Sequence, residues 1–330
     1  MTLLSACLSP ESPAVGAQAS AIVGGTPDVT HTAVVAFLDG PLDGPHHICS
    51  ATIVAPRVVV TAAHCLTGDS TTRYHVQLGS DVKAPERSID VDSVVVYPRY
   101  VRPGDDQRAG LDLAVATLVE DVGVSPIALP AGDDDGLRAG ASVVQVGFGQ
   151  TDAAVIESAG ARFSVSAPVT STCARLFASG DSAHRFCGGD SGGAVLLRDA
   201  SGVERLVGVI SFGLTPLCAP PGYATRVAPY RAWIASFITG SGDRSCATCP
   251  PASFCSDTQI DAGAPRDAST DASGGGGGGG GASGCAMGHG ARHGEGRSRV
   301  ALAAIAAMVL WLISTARRPA RGGPARPRAA

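Results

Sequence analysis

Charge is scarce in this chain. Only 16% of its 330 residues are Asp, Glu, Lys or Arg, and the formal net charge is −4. No basic patch is present to neutralise phosphates, and no acidic run is present to keep a segment solvated, so nothing points to nucleic acid as a partner. Paired metal-ligand motifs are lacking too. Cys246-Ala-Thr-Cys249 is a lone C-x-x-C with no second half at the usual spacing, which removes the common structural zinc site. Neither a metal nor a cofactor is expected. An apolar leader is also missing. Thr2 to Leu8 is mildly apolar but too short for a signal core, and no Lys or Arg precedes it.

What is present is apolar mass, glycine and cysteine. Hydrophobic residues make up 45% of the chain, enough for a real core. The 10 cysteines read best as disulfides formed in an oxidising compartment. Residues 1–21 read as a leader or pro-segment. Within it Leu4-Ser5-Ala6-Cys7 resembles a bacterial lipobox, in which Cys7 would carry lipid. Chance in a small-residue region is an equal alternative, and Ala19-Ser20-Ala21 offers a third reading as an A-x-A signal-peptidase site.

From Ile22 to about residue 227 the pattern is short β-rich runs broken by Gly, Pro and Asp. Val34–Leu38, Ser50–Val54, Val58–Thr61, Tyr74–Leu78, Ile89–Val96 and Leu113–Leu118 form one group. Ser142–Gly147, Ala161–Val165, Ala194–Leu197, Leu206–Phe212 and Ala224–Val227 form another. Such spacing predicts an all-β sandwich or barrel. Tyr230, Trp233, Ile234, Phe237 and Ile238 then fall on one face of a helix that Gly240 ends.

The composition changes after residue 240. Residues 241–262 hold Cys246, Cys249 and Cys255. Residues 263–299 form a linker with unbroken glycine from Gly274 to Gly281, which buries nothing. Residues 300–316 carry the apolar run Val300–Ile313, followed by a basic tail over 317–330. That run is shorter than the roughly 20 residues that span a bilayer comfortably. The arginines after it favour a cytoplasmic C-terminus.

Three residue types in this order carry the chemistry. Ser191 sits in Cys187-Gly188-Gly189-Asp190-Ser191-Gly192-Gly193, where glycine lets backbone approach a ligand. A serine framed in this way can attack a carbonyl while neighbouring N–H groups hold the oxyanion. His64, in Thr61-Ala62-Ala63-His64-Cys65, follows an apolar strand and is the candidate base. Asp112 stands inside the apolar run Leu111–Val115; a carboxylate buried there needs a partner, and a histidine N–H supplies one.

These motifs, with Ile22-Val23-Gly24-Gly25 at the head, resemble the trypsin/chymotrypsin-like serine protease family over residues 22–240. The order His, Asp, Ser matches, and triad order differs between unrelated protease folds. The resemblance implies two six-stranded Greek-key β-barrels with the site between them and a C-terminal helix outside. It also implies a serine endopeptidase acting on a peptide or protein substrate as a monomer. Catalytic roles fall to His64, Asp112 and Ser191, and the oxyanion hole to the N–H groups of Gly189 and Ser191.

Further roles follow from the same resemblance. Asp190 would pair with the α-ammonium of Ile22 after cleavage. Ala21 precedes that cut where the family often has Arg or Lys, so another protease or signal peptidase would be needed. Disulfides are implied for Cys49–Cys65 and Cys187–Cys218, and Cys173 lacks its usual partner, which leaves Cys246, Cys249 or Cys255 to supply one. Substrate-binding positions are Arg185, Ser211, Phe212, Gly213 and Gly222. Arg185 at the pocket base argues against cleavage after Lys or Arg, unless a shift in the shortened Thr172–Phe186 segment brings Asp181 there instead.

The Gly284-Cys285 pair, apolar run and basic end resemble the C-terminal sorting tags of myxobacterial-type surface proteins. Sorting machinery would then be a partner; a plain membrane anchor is the equal alternative. Either gives an extracytoplasmic protein tethered through its C-terminal segment. A catalytically inactive homologue that binds partners at the surface is the competing functional class. It draws on Arg185 and on Ala194, where the family usually carries proline.

Overall fold

The computed structural model describes residues 22–245, apart from 41–46, 67, 69–70, 102, 151–154, 156–157 and 216–217. Cys7 with the rest of the leader, the three tail cysteines, the glycine linker, Cys285, Val300–Ile313 and the basic tail lie outside the described residues. Among the described residues no helix is long and apolar enough to cross a membrane.

The chain opens with a two-residue strand β1 (Thr26–Pro27). It continues through β2 (Val34–Asp39), β3 (Ile48–Ala55), β4 (Val58–Thr61), β5 (Tyr74–Leu78) and β6 (Arg87–Val96). A one-turn helix α1 (Asp105–Arg108) leads into β7 (Ala114–Leu118). Strands β2 to β7 close an antiparallel barrel in the order β2-β3-β4-β7-β6-β5. Alternation along β2 explains why its apolar residues run unbroken. Val35 and Phe37 enter the barrel core with Ile53, Val76 and Ile89. Ala36 and Leu38 face the other way and pack on Phe148. A strand buried on both faces has no polar side to show.

The second barrel follows as β8 (Ser142–Gly147), β9 (Phe163–Thr172), β10 (Leu176–Ser179), β11 (Ala194–Arg198), β12 (Glu204–Gly213) and β13 (Gly222–Arg226). Its order is β9-β10-β13-β12-β11-β8, and the pairing of β8 with β9 closes it. The short β1 adds to the free end of β9, Thr26 opposite Ser164. The fold is therefore the expected pair of six-stranded barrels. Two strands, β1 and β10, lie outside the sequence expectation, and β9 runs well past the expected Ala161–Val165. It must be long, because it bonds β8 along one edge and β10 along the other.

A 3-10 turn (Ala228–Tyr230) leads into α2 (Arg231–Ile238). Tyr230, Trp233 and Ile234 are fully buried as the spacing requires, whereas Ile238 is 39% exposed. Ser236 is buried in its place, its hydroxyl donating to the Trp233 carbonyl at 2.7 Å. Tyr97, from the first barrel, meets both Tyr230 and Trp233 edge-on, with ring centroids 4.9 and 5.2 Å apart. These rings join Val60, Leu113 and Val115 to Ala194, Leu196 and Val209 in one apolar cluster. The barrels thus share a core, and the loops that carry His64, Asp112 and Ser191 meet where they abut.

Candidate active site

Asp112 ends the segment between α1 and β7, where apolar neighbours carry it into the interior; it has no solvent exposure. Burial pushes its carboxyl up. Hydrogen bonds and charge from His64, with a bond from Ser211, outweigh that push and hold it below the ordinary value. Oδ2 accepts from His64 Nδ1 at 2.7 Å and from the Ser211 hydroxyl at 2.5 Å, while Oδ1 accepts the His64 backbone N–H at 2.9 Å. His64 itself sits in a 3-10 turn, Ala63–Cys65, directly after β4. The Cys49–Cys65 disulfide fastens that turn to β3.

With Nδ1 committed to Asp112, Nε2 is the nitrogen left to face a substrate. His64 and Ser191 line one cavity of about 300 Å³ with Gly189, Phe37, Ile48 and the Cys49–Cys65 bridge. Among the described residues the N–H groups of Gly189 and Ser191 have no protein acceptor. Donors left unpaired beside a serine can bind an oxyanion. Cys49, His64 and Cys65 lie close enough to hold a metal ion, but both sulfurs are consumed by the disulfide.

The loop carrying Ser191 is clamped from three directions. Gly189 takes φ +90°, a conformation suited to glycine. Its carbonyl accepts the Ser50 hydroxyl at 3.1 Å, and that hydroxyl accepts the Phe148 N–H at 3.0 Å. Ser50 also donates its backbone N–H to the Ser191 carbonyl at 2.7 Å. Nothing in the sequence singles out Ser50; it follows a cysteine and sits in an ordinary strand. Asp190 has no exposure, and its carboxylate accepts the N–H groups of Gly149 and Cys187, both at 2.8 Å. Burial dominates there, so its pKa is raised to about 7 despite those two bonds.

A model of the Trypsin family matches residues 22–234, and His64, Asp112 and Ser191 all lie inside that span. The chain belongs to the trypsin family of serine-type endopeptidases.

Similar proteins include phenoloxidase-activating factor 1 of Holotrichia diomphalia, 28% identical over 225 residues, which are 56% of this chain and 60% of that protein. Melanization protease 1 of Drosophila melanogaster is 29% identical over 231 residues, 57% of each chain. The trypsin of Saccharopolyspora erythraea is 30% identical over 189 residues, 53% of this chain and 78% of its own. The chain thus spans about three-fifths of the length of the first two relatives.

Within the trypsin domain the remaining expected residues fall as follows. Ile22 is fully buried, and Val23 bridges to Arg185, whose N–H donates to the Val23 carbonyl at 3.1 Å. The Ile22-Val23 segment therefore lies against the stretch that leads to Asp190. Cys187 and Cys218 are bonded. Cys173 is also disulfide-bonded. Ser211 is 3% exposed and its hydroxyl serves Asp112, so only its backbone is left for a substrate. Phe212 stacks on Tyr223 at 4.8 Å, and Gly213 pairs with Gly222. Arg185 turns its guanidinium to the carbonyls of Cys218 and Ser182. Asp181 is occupied in a turn, accepting N–H bonds from Ala183 and His184 at 2.8 Å.

Proposed function

We propose that this chain hydrolyses peptide bonds through Ser191, His64 and Asp112 by way of an acyl-enzyme, and that it is made as a zymogen cleaved before Ile22. The observation that carries the reading is the buried Asp112 carboxylate gripping both the ring and the backbone of His64, beside a cavity that Ser191 shares. Ser191 Oγ attacks the carbonyl while His64 Nε2 takes its proton. The Gly189 and Ser191 N–H groups hold the oxyanion, each worth roughly 3–4 kcal/mol in related chemistry. His64, now protonated and stabilised by Asp112, returns the proton to the leaving amine. Water then repeats the sequence to release the acid.

Activation has support of its own. Ile22 has φ +52°, a left-handed conformation that is costly for a β-branched residue. Cleavage before Ile22 removes the peptide bond that defines φ, so the strain vanishes with it. The same cut creates an α-ammonium, and Asp190 is a buried carboxylate with no cationic partner among the described residues. Pairing would relieve the cost of its burial. Because Ala21 is not basic, the activating agent is a protease of other specificity or signal peptidase.

The disulfides at Cys49–Cys65 and Cys187–Cys218 support an extracytoplasmic location. Tethering by residues 300–316, with or without sorting at Cys285, remains part of the proposal on sequence grounds. Purified protein beginning at Ile22 should hydrolyse a peptide thioester, and both Ser191→Ala and His64→Ala should abolish this at unchanged fold. Equal turnover by Ser191→Ala would end the reading.

A further inference from the structure

The substrate-binding positions that the family resemblance implies fall in two walls. One is the stretch 185–191. The other is Ser211–Gly213 with the turn to Gly222, tied to the first by the Cys187–Cys218 bridge and by the bond from the Gly192 N–H to the Ile210 carbonyl, 2.8 Å. Beyond Ile210 the outer backbone edge of Ser211–Gly213 has no strand partner among the described residues, so it is open to an added substrate strand.

The space behind that edge is already occupied. A Cβ placed on Gly222 would stand 2.2 Å from Phe186 Cζ, 2.5 Å from Cε1 and 2.8 Å from Cε2. The leading edge of the ring therefore lies flat over the glycine wall. Phe186 is 6% exposed and packs with Phe177, Val195, Ile210 and Ala224 in the second-barrel core. A ring held by close-packed neighbours cannot swing aside without cost. Arg185 closes the adjoining end, its guanidinium bonded to the carbonyls of Cys218 and Ser182.

We propose that Phe186 fills the acyl-side pocket and restricts the enzyme to peptide bonds that follow Gly, Ala or Ser. This rests on the endopeptidase reading above and specifies its substrate class. A larger side chain at that position would have to displace the ring, and a basic one would also meet Arg185. On the leaving-group side the cavity bounded by Phe37, Ile48 and the Cys49–Cys65 bridge stays open, so the restriction is confined to one side of the scissile bond.

The test is a set of acyl-peptide thioesters identical except for Ala, Leu, Phe or Arg at the acyl position. The wild type should favour Ala over Phe and over Arg by at least roughly 100-fold in kcat/KM, the scale on which pockets discriminate by size. Phe186→Ala should raise the Phe-to-Ala and Leu-to-Ala ratios by at least about tenfold, with Phe186→Leu intermediate. Should neither variant fold, the wild-type profile decides alone. A wild type that reacts with a fluorophosphonate yet cleaves after Phe or Arg as well as after Ala overturns the inference. A wild type that neither reacts nor cleaves any substrate overturns the endopeptidase reading instead.

Discussion

One carboxylate holds two parts of one histidine: Asp112 Oδ2 lies 2.7 Å from His64 Nδ1, and Asp112 Oδ1 lies 2.9 Å from the His64 backbone N. The ring is thereby fixed in tautomer and in angle at once. Asp112→Asn keeps the shape but presents an amide where an acceptor is required. It should lower kcat roughly 10,000-fold, as loss of the correct tautomer does in this chemistry, while the melting temperature changes little. A loss of under about tenfold would show that Asp112 does not orient the base.

Ser50 links three parts of the site through one hydroxyl. It donates to the Gly189 carbonyl and accepts the Phe148 N–H. Ser50→Ala strands a buried N–H, which costs about 1–3 kcal/mol of stability. Because the carbonyl it releases belongs to Gly189, whose own N–H is a proposed oxyanion donor, kcat should fall by at least about tenfold, equivalent to ~1.4 kcal/mol. KM for a small ester should stay within a few-fold. Denaturant melts and steady-state kinetics on the same preparation separate the two effects.

Asp190 sets a pH dependence whose sign can be worked out. Its carboxyl has a folded pKa of about 7 against 3.8 as the reference. The uncleaved native state therefore holds a proton that the unfolded chain has already lost. Stability is fully present below the reference value and is lost as pH rises from there through about 7. Melts of the uncleaved Ser191→Ala protein between pH 4 and 8 should show this decline, and Asp190→Asn should flatten it. Cleavage before Ile22 should flatten it as well, since an α-ammonium favours the ionised carboxylate.

Much of this was legible in the residues. His64, Asp112 and Ser191 sit in short motifs whose order matches the family's, and the two bonded cysteine pairs go with them. The twin barrels follow from β-branched runs spaced by turns. Strand β10 escapes because Leu-Phe-Ala-Ser is four residues long and buried throughout, so it has neither alternation nor length to mark it. Ser50 and Phe186 escape for another reason. Their roles depend on partners 139 residues away at Gly189 and across β13 at Gly222, and no local pattern encodes such meetings. Arg185 is a case between the two: its place six residues before Ser191 is readable, but its bonds to the Cys218 and Ser182 carbonyls are not.

Trp233 bears on stability alone. It is wholly buried and meets Tyr97 of the first barrel and Phe237 of its own helix edge-on. Trp233→Ala should cost roughly 3–5 kcal/mol, measured by urea denaturation. Because Val60, Leu113 and Val115 still meet Ala194, Leu196 and Val209 in the shared core, the transition should remain single; a second transition would mean that Trp233 is what couples the barrels.

The central claim is that Ser191 is the nucleophile that His64 and Asp112 activate. Mass spectrometry of peptides from protein starting at Ile22 and treated with a fluorophosphonate tests it most directly. A single adduct on the peptide holding Ser191, absent in Ser191→Ala and strongly slowed in His64→Ala, is the predicted result. An adduct on another residue, or labelling at an undiminished rate in Ser191→Ala, would contradict it.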